Sequence, residues 1–425
     1  MGGLAANDIA VLRIALVAET LEAAFYNYVV GNNTLFNTFP AMAKQYVPLI
    51  QAHENAHKEA ITALLGPENH FTCNSFPYAA AVTDYPSFLT LALGFENLGV
   101  SAYDYAAAGL SNPILLQIAA TIATIEGRHA AFLSVLQGHN FVNFTAALTK
   151  NVTVGVTAEG FDSANSPAKV ASVVEALNLL TDCSAAQVQA VLDAIAGYKQ
   201  APQPKNYDTK KLRSTTLSGK PVDLTLAQND VAVLMYASVL EALESTFYKQ
   251  VVANFSEPAF VAAGFPHGTY AYMKVIAAHE KSHYAFLAGV LGDKVPTPCA
   301  YYSWATHTGP LTVQEVVMLA NVFETTGVSA YDGAIDGIST PGYASAAATI
   351  ATVEARHSSY LRSLTAYLPV ATDMTPILTA MAFDETFTPA EVVGKIKPFL
   401  AGCTDPANLP ADLPASRTNK VKGRR

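Results

Sequence analysis

Glu-x-x-His occurs four times in this chain, as Glu54 with His57, Glu126 with His129, Glu280 with His283 and Glu354 with His357. Residues three apart share a helix face, so each unit aims a carboxylate and an imidazole at one point. A single such pair carries little weight. Four of them use four of the ten histidines in the chain, and repetition on that scale is the signature of a metal site. The chain must then be helical wherever a unit falls, and its helices must pack so that the units meet.

The repetition extends beyond the pairs. NDIAVLRIALVAETLEAAFY at 7–26 realigns with NDVAVLMYASVLEALESTFY at 229–248, and the stretch at 106–132 matches 333–361 once two extra residues are allowed for. A spacing near half the chain means two copies of one domain and not a solenoid. The reading is domain 1 over 1–200, a linker over 201–225, domain 2 over 226–410 and a basic tail over 411–425. Each copy, at about 200 residues, is large enough to enclose its own apolar core.

Apolar spacing at three and four residues predicts four long helices in copy one, over 5–31, 39–65, 86–110 and 113–138. Pro40 and Gly66 flank the second, Asp84 and Pro86 mark the start of the third, and Gly109, Asn112 and Pro113 make a short turn into the fourth. The stretch from Gly66 to Tyr85 is too long for a tight turn and suits a crossover between distant ends of a bundle. The expected fold is all-α: two tandem four-helix bundles, each with a long crossover and a C-terminal extension.

Helices two and four carry the Glu-x-x-His units, which leaves one carboxylate each for helices one and three if the site is dinuclear. Glu19 and Glu96 supply them in copy one, Glu241 and Glu324 in copy two. The metal set is therefore Glu19, Glu54, His57, Glu96, Glu126 and His129, with Glu241, Glu280, His283, Glu324, Glu354 and His357. Seven residues beyond each lone glutamate stands a tyrosine: Tyr26, Tyr103, Tyr248 and Tyr331. Two turns along the same face, each is a candidate catalytic group able to hydrogen-bond a ligand carboxylate. Glu22 and Glu244, one turn past the lone glutamates of helix one, are reserves. Helix three has Gly99 and Gly327 at the matching places, so pseudo-symmetry favours Glu19 and Glu241.

Surface glutamates are ordinarily solvated, and a histidine in an apolar stripe is more often a core residue than a ligand. Here the carboxylates stand among Ala, Leu, Ile and Phe. Four ionised carboxylates in a bundle interior cost several kcal/mol each if unpaired, about what a buried ion loses in solvation. Two divalent ions per domain, iron or manganese, offset them while the imidazoles bind as neutral ligands. His53 and His279 precede the ligand glutamates and point about 100 degrees away, as supporting groups. Arg128 and Arg356 are expected to pair with Asp104 and Asp332, and Trp304 is assigned to packing.

Hydrophobic residues make up 51% and charged residues 14%, as expected of buried helices, with no uncharged run of membrane-spanning length. A net charge of -9 argues against nucleic acid as a partner. The economical cysteine reading is one disulfide per domain, Cys73 with Cys183 and Cys299 with Cys403, although four cysteines allow three connectivities. Sequons at Asn32, Asn143, Asn151 and Asn254 fit passage through a secretory pathway. MGGLAAND runs straight into a charged helix, so the expectation is a secreted or cell-wall protein whose leader is not in this sequence. There is no Ser-His-Asp grouping, phosphate-binding glycine loop or CxxC pair.

The order Glu, Glu-x-x-His, Glu, Glu-x-x-His resembles that of bacterioferritin and rubrerythrin-type proteins over the first 130 or so residues of each copy. AFDETFTPAEVVGKIKPFLAGCTDPANLP at 382–410 resembles the C-terminal segment of plant desiccation-related and fungal stress-response proteins, with a looser version, FDSANSPAKVASVVEALNLLTDC, at 161–183. The resemblance implies a ferritin-like stress protein, secreted or in the cell wall. Together these readings lead to a dinuclear iron or manganese protein that oxidises ferrous iron or consumes peroxide, as a ferroxidase, peroxidase or manganese catalase, with dioxygen or peroxide as its small-molecule partner. The alternative is a non-enzymatic stress or structural protein with metal-stabilised bundles. Tandem fusion disfavours a ferritin-style cage, because a cage needs surfaces that repeat with closed symmetry. An intramolecular pseudo-dimer is the simpler expectation, and a homo-oligomer of the whole chain stays open.

Overall fold

The computed structural model describes residues 4–66, 71, 73, 76–138, 145–149, 152–199, 228–299, 302–304, 310–368 and 381–400. The linker at 201–225, the tail at 411–425 and Cys403 lie outside the described residues. The first half is built on α1 (Ala6–Gly31), α2 (Ala41–Leu65), α3 (Tyr85–Ala106) and α4 (Pro113–Gln137). The local signals act as their chemistry dictates. Asp84 caps α3 in a capping box with Ser87, Asn112 accepts from the Ile114 N–H at the start of α4, and Gly138 takes the left-handed conformation that ends it. The buried Asp8 ties the start of α1 to the α3–α4 turn, accepting from the Ser111 N–H at 2.7 Å. After α4 come an antiparallel pair of strands, β1 (Thr145–Thr149) and β2 (Val152–Gly155), with Thr145 opposite Gly155, then α5 (Pro167–Ala176) and α6 (Ala185–Gly197). The strand pair is an addition to the all-α expectation. Its residues lie between the predicted helical patterns.

The second half repeats the plan with α7 (Gln228–Asn254), α8 (Thr269–Leu291), α9 (Val313–Ala334) and α10 (Pro341–Leu364), followed by α11 (Pro389–Ile396). Asp230 does there what Asp8 does in the first half, accepting from the Ser339 N–H at 2.6 Å. By length and composition α7 could cross a bilayer, which the sequence reading had not anticipated. Yet 72% of its most apolar window is buried inside the protein, and it carries Glu241 and Glu244. Trp304 is packing, as expected. It meets Phe247 and Phe323 edge to face, and its indole N–H donates to Gln250. Cys73 and Cys183 form a disulfide, which pins the α5–α6 connection to the crossover of the first bundle. Cys299 is also disulfide-bonded.

The halves meet along α4 and α10. Gly127 makes the close approach there: a Cβ at that position would lie 2.8 Å from the Thr352 carbonyl oxygen. Thr352 donates to Asp104 at 3.1 Å and, in mirror image, Thr124 donates to Asp332 at 3.0 Å. Each half also lends the other a short strap. Gly160-Phe161-Asp162, after β2, reaches the second bundle, where the Asp162 N–H donates to the Thr349 carbonyl. Ala382-Phe383-Asp384 reaches the first, where the Asp384 N–H donates to the Thr121 carbonyl. Both straps then return home: the Asn165 N–H donates to Ser101 and the Phe387 N–H to Ser329.

Candidate metal centre

Inside the first bundle, ligand atoms of Glu19, Glu54, His57 and Glu126 lie within 4.8 Å of one another, as do those of Glu54, Glu96, Glu126 and His129. Glu54 and Glu126 belong to both groups, so the six residues form two adjoining nests that share two carboxylates. His57 Nδ1 is 3.3 Å from Glu19 Oε2, 3.4 Å from Glu54 Oε2 and 3.3 Å from Glu126 Oε1. His129 Nδ1 is 3.0 Å from both Glu54 Oε1 and Glu96 Oε2. The second bundle repeats this with Glu241, Glu280, His283 and Glu354 in one nest and Glu280, Glu324, Glu354 and His357 in the other. All twelve side chains are fully buried.

The hydrogen bonding leaves the atoms at the heart of the nests unsatisfied. Among the described residues, both oxygens of Glu54 and of Glu126, Glu19 Oε2 and His57 Nδ1 have no hydrogen-bond partner, and Glu280, Glu354, Glu241 and His283 repeat the pattern. The other ring nitrogen explains why. His57 Nε2 lies 2.5 Å from the Ala382 carbonyl, and a carbonyl only accepts, so the proton of a neutral ring sits on Nε2. Nδ1 then turns a lone pair toward three carboxylates. That array repels itself unless a proton or a cation lies among the oxygens. Without metal, burial is outweighed by Glu19 and Glu54, which raise His57 well above the ordinary imidazole range. With metal, neutral imidazole and carboxylate are both good ligands. The residues fit a dinuclear site.

A ring of supporting groups fixes the nests. Tyr26 on α1 donates to Glu96 on α3, and Tyr103 on α3 donates to Glu19 on α1. The same exchange links Tyr248 to Glu324 at 2.5 Å and Tyr331 to Glu241 at 2.6 Å. Each tyrosine thus serves the glutamate of the facing helix. Burial, followed by the neighbouring carboxylate, pushes all four phenols well above their ordinary range, so they remain protonated donors. His53 Nδ1 lies 2.9 Å from His129 Nε2, and His279 Nδ1 3.0 Å from His357 Nε2, the supporting positions expected of them.

The straps complete the ring from the opposite half. The Ala382 carbonyl holds His57, and Phe383 meets the imidazole edge to face. The Gly160 carbonyl accepts from His283 Nε2 at 2.6 Å, with Phe161 in the same edge-to-face contact. Arg128 pairs with Asp384 at 2.8 Å, and Arg356 with both oxygens of Asp162 at 2.8 and 2.9 Å. This corrects the expected pairs with Asp104 and Asp332. Those carboxylates accept from threonines of the other half, while the strap aspartates take the guanidinium groups. The sequence reading missed the straps, although Phe-Asp recurs at equivalent places after each fourth helix.

Glu22 and Glu244 stay in reserve. They belong to neither nest, yet are buried beside it, with Glu22 Oε1 and Glu126 Oε2 both facing the Gly99 position. Burial, opposed by His57, raises Glu19 to about 7, and Glu241 is raised to about 7 in the same way. Burial and then neighbouring carboxylates hold Glu126 and Glu354 well above the ordinary range. The metal-free centre therefore stores protons that a divalent ion must displace. Metal binding is expected to release protons and to strengthen by at least about tenfold per unit of pH between about pH 6 and 7. Calorimetry in buffers of different ionisation enthalpy checks this. The same shifts make the metal-free fold lose stability as pH rises from the ordinary carboxylate value of 4.5 through about 7, because the unfolded chain ionises these groups first.

A sequence model of the ferritin-like domain family matches residues 7–139 and 229–366, more than half of the chain. These ranges cover α1 to α4 and α7 to α10 but for the first residue of α1 and of α7, with all twelve residues of the nests. A search of curated proteins gives no match.

Proposed function

The chain belongs to the ferritin-like domain family, and from that premise we propose that each half holds two iron or manganese ions and uses them to oxidise ferrous iron or consume peroxide. One observation carries the reading: Glu54 and Glu126 each belong to both nests while none of their oxygens has a hydrogen-bond partner among the described residues. In this reading Glu19, Glu54, His57, Glu96, Glu126 and His129 would hold the ions of the first half, with Glu54 and Glu126 common to both nests and one imidazole in each. Glu241, Glu280, His283, Glu324, Glu354 and His357 do the same in the second half. Two ions so held would supply electrons for reducing dioxygen or peroxide. The chain's own part is positional: the tyrosines fix the carboxylates that belong to one nest only, and the straps and His53 set each ring.

Elemental analysis of protein prepared without chelators tests it, with about four ions per chain expected, two from each carboxylate-bridged pair. Fewer than about one ion per half would sink the proposal. Dioxygen or peroxide consumption by the loaded protein then separates turnover from a structural role. The complete burial of every ligand favours that second reading, in which the ions only brace the bundles. A loaded protein that consumes neither oxidant establishes it. Work in an oxidising compartment, secreted or in a cell wall, is supported by the Cys73–Cys183 disulfide and by the exposed sequon at Asn254.

A further inference from the structure

We propose that the first half also carries a binding site for an uncharged aliphatic molecule with a hydroxyl head group, in a cavity over the gap between α1 and α3. The cavity has a volume of about 370 Å³, within the range of small-molecule sites. Its walls come from α1 and α3 on one side and α5 and α6 on the other, with Val17, Leu21, Leu98, Val170, Val191 and Ile195 among them. The Cys73–Cys183 disulfide holds the outer wall in place.

Two features lead from the cavity to the metal centre. Gly99 lines it, and a Cβ there would lie 3.0 Å from Glu126 Oε2 and 3.2 Å from Glu22 Oε1. The missing side chain leaves the cavity separated from the bridging carboxylate by little more than backbone. Glu22 lines it too, only 4% exposed, and makes no hydrogen bond or ion pair among the described residues. A buried carboxyl in that position calls for a donor from whatever occupies the space. A hydroxyl supplies one. A fatty carboxylate would bring a charge toward Glu22 and the carboxylates behind it, so a charged head is disfavoured. The second half is packed differently: Phe399 lies against Phe323, the counterpart of Phe95, with ring centroids 4.9 Å apart. Phe95 borders the cavity.

The site goes beyond the dimetal reading and does not require it. Titration calorimetry of the full chain with 1-octanol and with octanoate, both stripped of metal and loaded with Mn(II), tests the two separately. Octanol is expected to bind saturably and at least about tenfold more tightly than octanoate, about 1.4 kcal/mol. Ala171→Trp, which fills the cavity from α5, is expected to weaken octanol at least about tenfold while the thermal transition is retained. Val188→Trp fills it from α6 and serves if the first variant does not fold. No saturable octanol binding, equal binding of octanoate, or indifference to a folded filling variant overturns the site. Loss of Mn(II) binding with octanol binding intact overturns the metal reading alone.

Discussion

Glu126→Gln is expected to empty the first half of metal and, in the presence of a chelator, to leave the fold as stable as wild type or more so. Glu126 belongs to both nests, so one substitution removes a ligand from two ions and metal content should fall from about four to about two per chain. The stability expectation follows from its surroundings. Burial, then Glu54, Glu96, Glu22 and Glu19, hold the Glu126 carboxyl well above the ordinary range, so without metal it is largely protonated. Glutamine copies that neutral form and cannot ionise as pH rises. With metal present the order reverses, because wild type gains ligand-linked stability, about 2.7 kcal/mol when free metal is a hundredfold above its dissociation constant. Thermal unfolding with and without chelator, together with metal analysis, reads both signs. If the variant is equally destabilised under both conditions, the carboxylate is an ordinary structural group and the metal reading fails. The tyrosine contacts make a smaller test, since Tyr103 touches Glu19, which belongs to one nest only.

The nests were legible in the sequence because their register is local. Glu54 and His57 share a face by helix geometry alone, and the α1 and α3 glutamates follow once a bundle needs one carboxylate from each remaining helix. Helix starts were legible for the same reason: Asp84 and Asn112 act on their own next turn. Contacts between the halves were not. Arg128 and Asp384 are 256 residues apart, Arg356 and Asp162 are 194 apart, and no spacing rule connects them. Asp104, on the neighbouring helix of the same half, was the natural partner until the close approach at Gly127 brought Thr352 to it. The cavity was hidden too, because its outer wall depends on how α5 and α6 dock. The repeated Phe-Asp was in view and marks the straps, but its direction of travel could be read only in three dimensions.

That direction makes the second large effect a crossed one. Asp384→Ala, in the second half, is expected to weaken metal binding in the first by about 10- to 100-fold, as loss of an outer-shell partner does. Asp384 anchors its strap to Arg128, and both side chains are nearly excluded from water. Removing the carboxylate strands a buried guanidinium, at a cost of about 3–5 kcal/mol. The strap then loosens, and the Ala382 carbonyl no longer holds the proton of His57 on Nε2. His57 is free to turn or to carry its proton on Nδ1, where the metal must bind. Asp162→Ala should do the same to His283 and the second-half centre, since the Gly160 carbonyl and the Arg356 pair repeat the arrangement. Measured in backgrounds where Glu126→Gln or Glu354→Gln has silenced one centre, the losses should cross: Asp384→Ala weakens the chain whose first centre survives, and Asp162→Ala the chain whose second survives. A loss confined to the half that carries the substitution would mean that the straps only hold the halves together. A crossed loss makes each centre dependent on the other half, and gives the duplicated chain a reason to remain one molecule.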